Sequence, residues 1–276
     1  MPSRFASDTA VSPVGGGRYM ARIDPGWWVV RGPNGGYVAA IVLRALIAET
    51  GDEVRVPRSL TVHFTRPPEP GPVDLAVTTE RTGRSLTTLS AHMTQADRLV
   101  AVGVAALATD RPGPSFNDGA PPPVPAPEEV ESVVLDGPDI PLHRQYETRW
   151  AIGLPPVPGE ATRADQRPER AEVGGWIRLS DPEPLDHCVV AALTDAWMPA
   201  VFGRFTEPMA APTIDLTVHF RRPPTRSTGW SLVRFVSSLA TAGFVEEDGE
   251  VWSADGQLLA QSRQLSMLMP IADGGR

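Results

Sequence analysis

Two histidines occupy the same place in a phrase that the chain uses twice. His63 sits in LTVHFTRPP (60–68) and His219 in LTVHFRRPP (216–224), eight of nine residues identical at an offset of 156. Paired imidazoles invite a metal ion, which would need further His, Cys or carboxylate ligands at fixed spacing. No such ligand recurs in both copies, and Cys188 is the only cysteine, so neither a metal cluster nor a disulfide framework is expected. Asp195 is a better-placed reactive group. It lies in Cys188–Met198 (CVVAALTDAWM), a run that is otherwise apolar apart from Thr194. An acid in such surroundings loses hydration and holds its proton more tightly, which suits a general base. The competing reading is a solvent-facing acid near a helix end, with Pro199 finishing the helix. Gln264 is in a strand-like run whose same-side neighbours, Ala260, Ser262 and Ser266, are all small and leave room for a ligand. Its alternative is a surface glutamine on an edge strand. Asp215, two residues after Thr213, is a rival carboxylate.

The elements that must position these groups recur in two halves. In the first, a strand over 18–23 leads to Asn34-Gly35-Gly36, a helix cap followed by glycines just inside the helix, and then to an Ala/Val/Leu-rich helix over 37–49. Strands are expected over 59–64, 73–80, 85–94 and 99–107. The second half repeats this order, with a strand over 175–179, a helix over 185–198, and strands over 213–220, 230–240, 243–253 and 258–267. Asp255-Gly256 is a hairpin signal between the last two. A single helix cannot cover both faces of a sheet, so each sheet is expected to curl around its helix. Within the shared phrase, Leu60, Val62 and Phe64 face one way and Thr61 and His63 the other, and the following Arg-Pro-Pro ends the strand. The polar face carrying His63 and His219 is expected to be buried between domains or subunits. The repetition therefore marks scaffold.

A Pro-, Gly- and Ala-rich stretch, RPGPSFNDGAPPPVPAPE (111–128), separates the halves. This places a first domain at 1–110, a linker at 111–146 and a second domain at 147–276. A further loop over 155–172 is expected inside the second domain, either covering something or mobile. The chain has 276 residues, 41% of them apolar, and a net charge of −8. Every basic residue is arginine and these are scattered, which argues against a nucleic-acid surface. No apolar run reaches the length of about 18 residues that a membrane span needs. The N-terminal residues lack the apolar core of a signal peptide, and a cytoplasmic location is expected.

Strand, Gly-Gly-initiated helix, "HF-x-R-P" strand, the Arg81–Ser85 turn (RTGRS) and two long strands together resemble the hotdog pattern. Two such units in one chain resemble the acyl-CoA thioesterase II family, the double-hotdog thioesterases. The resemblance covers nearly the whole chain outside the linker. It implies an α+β fold of two tandem hotdog domains, each an antiparallel sheet curled around one long helix. It also implies hydrolysis of acyl-CoA without a cofactor, and a homodimer or larger homo-oligomer. The family is similar in holding a water with an Asp, a Thr and a Gln, which here match Asp195, Thr213 and Gln264. An oxyanion site is expected at the amides of Gly35 and Gly36, where a helix N-terminus favours negative charge. The first half has Ala105 at the offset of Gln264 and Arg44 where the second helix has Asp195, so one composite site per chain is expected. Arg66, Arg84, Arg221 and Arg222 are candidates for the CoA phosphates or simply solvated turn residues. An acyl-ligand binder with little turnover remains an alternative. So does an enoyl-CoA hydratase, which Asp186-His187 does not suit because the two residues are adjacent.

Overall fold

The structure, a computed structural model, describes residues 2–133, 139–153, 168–205, 208–224 and 227–271. Most of the loop expected over 155–172 lies outside these residues.

The first half runs α1 (Arg4–Asp8), β1 (Ser12–Gly15), β2 (Arg18–Ile23), α2 (Gly35–Thr50), β3 (Val56–Phe64), β4 (Gly71–Thr82), β5 (Leu86–Gln95) and β6 (Arg98–Ala108). The second runs β7 (Tyr146–Ile152), β8 (Ala171–Leu179), α3 (His187–Leu193), β9 (Met209–Ala210), β10 (Thr213–Phe220), β11 (Ser231–Ser237), β12 (Ala240–Thr241), β13 (Phe244–Ser253), β14 (Leu258–Met267) and β15 (Met269–Pro270). Strands β9 and β15 pair only with each other. The others form one sheet in the order β1-β2-β4-β5-β6-β3-β10-β14-β13-β11-β8-β7, with β12 added on β13.

The two halves are joined where β3 meets β10, so the repeated phrases lie antiparallel against each other. Thr61 stands opposite Thr217, its own counterpart, and their hydroxyls are 3.0 Å apart. A local two-fold therefore passes through this threonine pair. The inward residues Leu60, Val62, Leu216 and Val218 are fully buried. His63 and His219 are exposed on the outer face of the chain, so contact between its two halves does not bury them. His63 is level with Asp215 and His219 with Ser59. That sets the imidazoles four rungs apart, roughly 13 Å along the strands, too far to share one ion.

Helix α2 is apolar on nearly every side and is buried accordingly, against β3, β4, β5, β6 and α3. Asn34 caps it, its Oδ1 accepting from Tyr37 N at 3.0 Å. Gly51, left-handed at φ 60°, ends it. The second helix is much shorter than the expected 185–198. It begins at the Asp186 cap and ends at Leu193. Beyond it the backbone tightens into i→i−3 bonds, Thr194 N to Ala191 O and Asp195 N to Ala192 O. The Thr194 hydroxyl also donates to Ala191 O at 2.7 Å. Side-chain competition of this kind, with the close approach of α2 described below, ends the helix well before Pro199.

The proline-rich segment crosses the outer face of the sheet in its second half, over β8, β11 and β13. Trp176 Nε1 donates to Pro125 O at 2.9 Å, and Val124 and Val130 pack on Trp176, Leu232 and Trp252. Among the described residues no helix is long and apolar enough to cross a membrane.

Candidate active site

The first turn of α2 and the turn after α3 approach so closely that two glycines are required. A Cβ on Gly36 would stand 2.5 Å from Ala192 O, and one on Gly35 2.9 Å from Asp195 Oδ2. Asp195 thus lies in the turn following α3, aimed at the start of α2. Its Oδ2 accepts from Gly36 N and from Asn34 Nδ2, each at 2.9 Å. Asn34 Nδ2 also reaches Asp195 O at 2.6 Å. One asparagine therefore caps its own helix with its oxygen and holds the other half of the chain with its nitrogen.

This geometry changes the role expected for the glycine amides. The Gly36 N–H is occupied by the Asp195 carboxylate and is not a free oxyanion donor. The Gly35 amide acts on the same carboxylate. Burial raises the Asp195 carboxyl to about 6, against the opposing effect of the Gly36 and Gly35 amides, Gln264 and Asn34. The residue as a whole is only partly buried, while these donors replace the hydration of its carboxyl group.

Thr213 reaches the site through a bulge. Strand β10 pairs Thr213 with Ser266 but Asp215 with Leu265, the register slipping by one residue at Ile214. The extra residue turns Thr213 to the inner face, where Thr213 Oγ1 donates to Gln264 Oε1 at 3.2 Å. Asp215 faces outward beside Leu265, away from Gln264, which removes it as a rival base. Gln264 is 6% exposed on β14, an interior strand between β10 and β13, so it is not an edge residue. The structure thus brings Asn34, Gly35, Gly36, Asp195, Thr213 and Gln264 together. Arg66, Arg84, Arg221 and Arg222 are all exposed.

Two neighbours carry no obvious sequence signal. Glu247 is 6% exposed, and its Oε1 accepts from Gln264 Nε2 at 2.8 Å. Its place was readable from alternation, because Val245, Glu247, Gly249 and Val251 share one buried face of β13. The run Glu246-Glu247-Asp248 instead looks like solvated polar strand. Tyr146, also 6% exposed, has no hydrogen-bond partner for its hydroxyl among the described residues. Burial, and then the charge of Asp195, push that phenol well above its ordinary value, which keeps it a donor. A cavity of about 510 Å³ near Arg170, Arg204, Phe205 and Val236 includes none of these residues.

The local two-fold supplies an internal comparison. Leu60 pairs with Ala105 as Leu216 pairs with Gln264, so Ala105 is the counterpart of Gln264. At the helices, the Asn34 cap of α2 holds Asp195, whereas the Asp186 cap of α3 faces Arg44, 3.6 Å away, with Glu183 also 3.6 Å from Arg44. The twin position is filled by an ion cluster and lacks the water-holding groups.

Residues 24–109 match the family description "Acyl-CoA thioesterase N-terminal domain" and residues 118–268 "Acyl-CoA thioesterase C-terminal domain". A hot dog protein of unknown function from Alicyclobacillus acidocaldarius superposes with a TM-score of 0.87 at 28% identity, over 99% of this chain and 100% of that one. The acyl-CoA thioesterase II TesB2 from Mycobacterium marinum shares the fold at a TM-score of 0.76 and 20% identity, over 97% and 99% of the two chains. The uncharacterized protein Rv0499 of Mycobacterium tuberculosis is 24% identical over 269 residues, 91% of this chain and 90% of that protein. With both of its halves matched in order, the chain belongs to the acyl-CoA thioesterase family, with two tandem hotdog domains.

Proposed function

We propose that the protein hydrolyses acyl-CoA to a free acid and CoA at one composite site per chain. The observation that carries this reading is Asp195: a carboxylate largely withdrawn from water, held by the first half of the chain, beside an interior Thr213–Gln264 pair. With its proton affinity raised to about 6, it is ionised at neutral pH yet basic enough to accept a proton from water.

In this scheme Asp195, Thr213 and Gln264 orient a water. Asp195 takes one of its protons as the oxygen attacks the thioester carbonyl carbon, and the carbonyl electron pair moves onto oxygen. Collapse re-forms the carbonyl, expels the CoA thiolate and returns the proton from Asp195 to sulfur. The negative oxygen of the intermediate needs a donor, and the Gly36 amide is already engaged. The buried Tyr146 hydroxyl, unpartnered among the described residues and under the influence of the Asp195 charge, is the group best suited to this role. The test is thiol release over a series of short, medium, long and aromatic acyl-CoAs. Turnover of at least one class is expected. Tight binding across the series without thiol release would replace this reading with that of an acyl-CoA binder.

A further inference from the structure

Glu247 plays no part in the scheme above, yet it is a buried carboxylate one hydrogen bond from Gln264. Its Oε1 accepts from Gln264 Nε2 at 2.8 Å and its Oε2 accepts from Ala200 N at 2.6 Å. Among the described residues no arginine pairs with it. The charged groups acting on it are Asp195 and its strand neighbour Glu246, both of which disfavour its ionisation. Burying an acid without a basic partner is unfavourable, so the sheet alone does not explain it.

The twin half shows what the sheet alone requires. Gln264 pairs with Glu247 on β13, and its counterpart Ala105 pairs with Leu89 on β5. Leu89 is fully buried. Thr213 and Ser266, paired across the bulge, correspond to Pro57 and Leu107, paired across the equivalent bulge. At four matched positions the same scaffold is thus apolar in one half and hydrogen-bonded in the other. Three of those four polar groups are Thr213, Gln264 and Ser266, which already form a chain, Ser266 Oγ reaching Thr213 Oγ1 at 3.5 Å. Glu247 closes that chain at its far end.

An amide side chain can present either oxygen or nitrogen to a neighbour, and nothing in Thr213 decides which, since a hydroxyl both donates and accepts. A carboxylate anchored by a backbone N–H only accepts. It therefore forces nitrogen toward itself and oxygen toward Thr213.

We infer that Glu247 is a positioning residue for the hydrolytic site: anchored on the Ala200 amide, it fixes the orientation of the Gln264 amide, so that Oε1 faces Thr213. This inference rests on the proposed thioesterase reading. Burial raises Glu247 to about 7, so it is partly ionised at neutral pH, and it is the ionised form, with no proton to donate, that enforces this orientation.

The test uses Glu247→Leu, which copies the twin half, together with Gln264→Leu and the double variant. Glu247→Leu is expected to lower kcat about 10- to 100-fold through a misplaced amide, with KM within twofold of wild type and Tm equal or higher. The double variant is expected to be no slower than Gln264→Leu, because Glu247 acts only through that amide. In 15N-labelled protein the Gln264 side-chain amide protons should exchange slowly in wild type and quickly in Glu247→Leu, a measurement that needs no turnover. A wild-type protein that hydrolyses no acyl-CoA would sink the thioesterase reading and leave the amide measurement to decide the geometry. An unchanged kcat, additive kcat losses in the double variant, or a lowered Tm with unchanged amide exchange would each overturn the assignment of Glu247.

Discussion

Replacing Asp195 with asparagine should damage catalysis while stabilising the fold, because the same burial serves both effects. The carboxyl is raised from 3.8 to about 6 in the native protein, chiefly by lost hydration. An acid raised on folding binds its proton more tightly in the native state, so the native state is favoured at low pH. That advantage is lost as pH rises from about 4 through about 6. The gap corresponds to at most ~3 kcal/mol withdrawn from wild-type stability above pH 6. Asparagine is neutral and nearly isosteric, and its Oδ1 can still accept from Gly36 N and Asn34 Nδ2. Asp195→Asn should therefore be about 1–3 kcal/mol more stable than wild type at pH 8, with the difference closing below pH 4. Glu247 is present in both proteins, and removing the Asp195 charge eases its ionisation, which acts in the same direction. Turnover should fall by about 10²–10⁴-fold, the contribution of a positioned general base. Wild-type kcat/KM should itself decline as pH falls below about 6, when Asp195 takes up its proton. Denaturant titrations at pH 4, 6 and 8, alongside thiol-release kinetics, measure all of this. Turnover within tenfold of wild type would refute the base assignment. A variant less stable at every pH would refute the burial argument.

Other perturbations separate scaffold from site. Gly36→Ala places a Cβ 2.5 Å from Ala192 O, so α2 and α3 must part. A loss of about 1–3 kcal/mol with collapse of activity is expected in denaturant titrations and thiol release, and an unaltered variant would show the contact to be loose. Thr61→Val removes one hydroxyl of the seam pair and should cost about 1 kcal/mol while leaving kcat unchanged; a drop in kcat would tie the seam to the chemistry. Tyr146→Phe deletes a buried hydroxyl that has no partner among the described residues, so thermal stability should hold or rise while kcat falls about 100-fold. Full activity in that variant would send the oxyanion elsewhere.

Local chemistry made much of this readable. Asn34-Gly35-Gly36 announces a helix start, because a capping side chain and the N–H it accepts are three residues apart. Alternation within LTVHF assigns an inner and an outer face for the same reason. The duplication is visible because two strands that pack alike, here against each other, keep the same side chains. The family resemblance then pointed to Asp195, Thr213 and Gln264, which alternation and burial do not by themselves distinguish from other polar residues.

What only the tertiary structure decided are contacts across long sequence distances and single-residue changes of register. Helix α3 stops at Leu193 because α2 lies against its last turn, 161 residues away from Asp195 at Asn34. A one-residue bulge turns Thr213 inward and leaves Asp215 outside, and no period-two pattern shows an inserted residue. The Gly36 amide meets Asp195, where the glycine pair alone suggested a free anion site. Glu247 looks like one more acid in a charged run until its strand is paired with Gln264. Sequence reports each residue's own preference for helix, strand, cap or face. Which donor meets which acceptor is fixed only when the two halves close on each other.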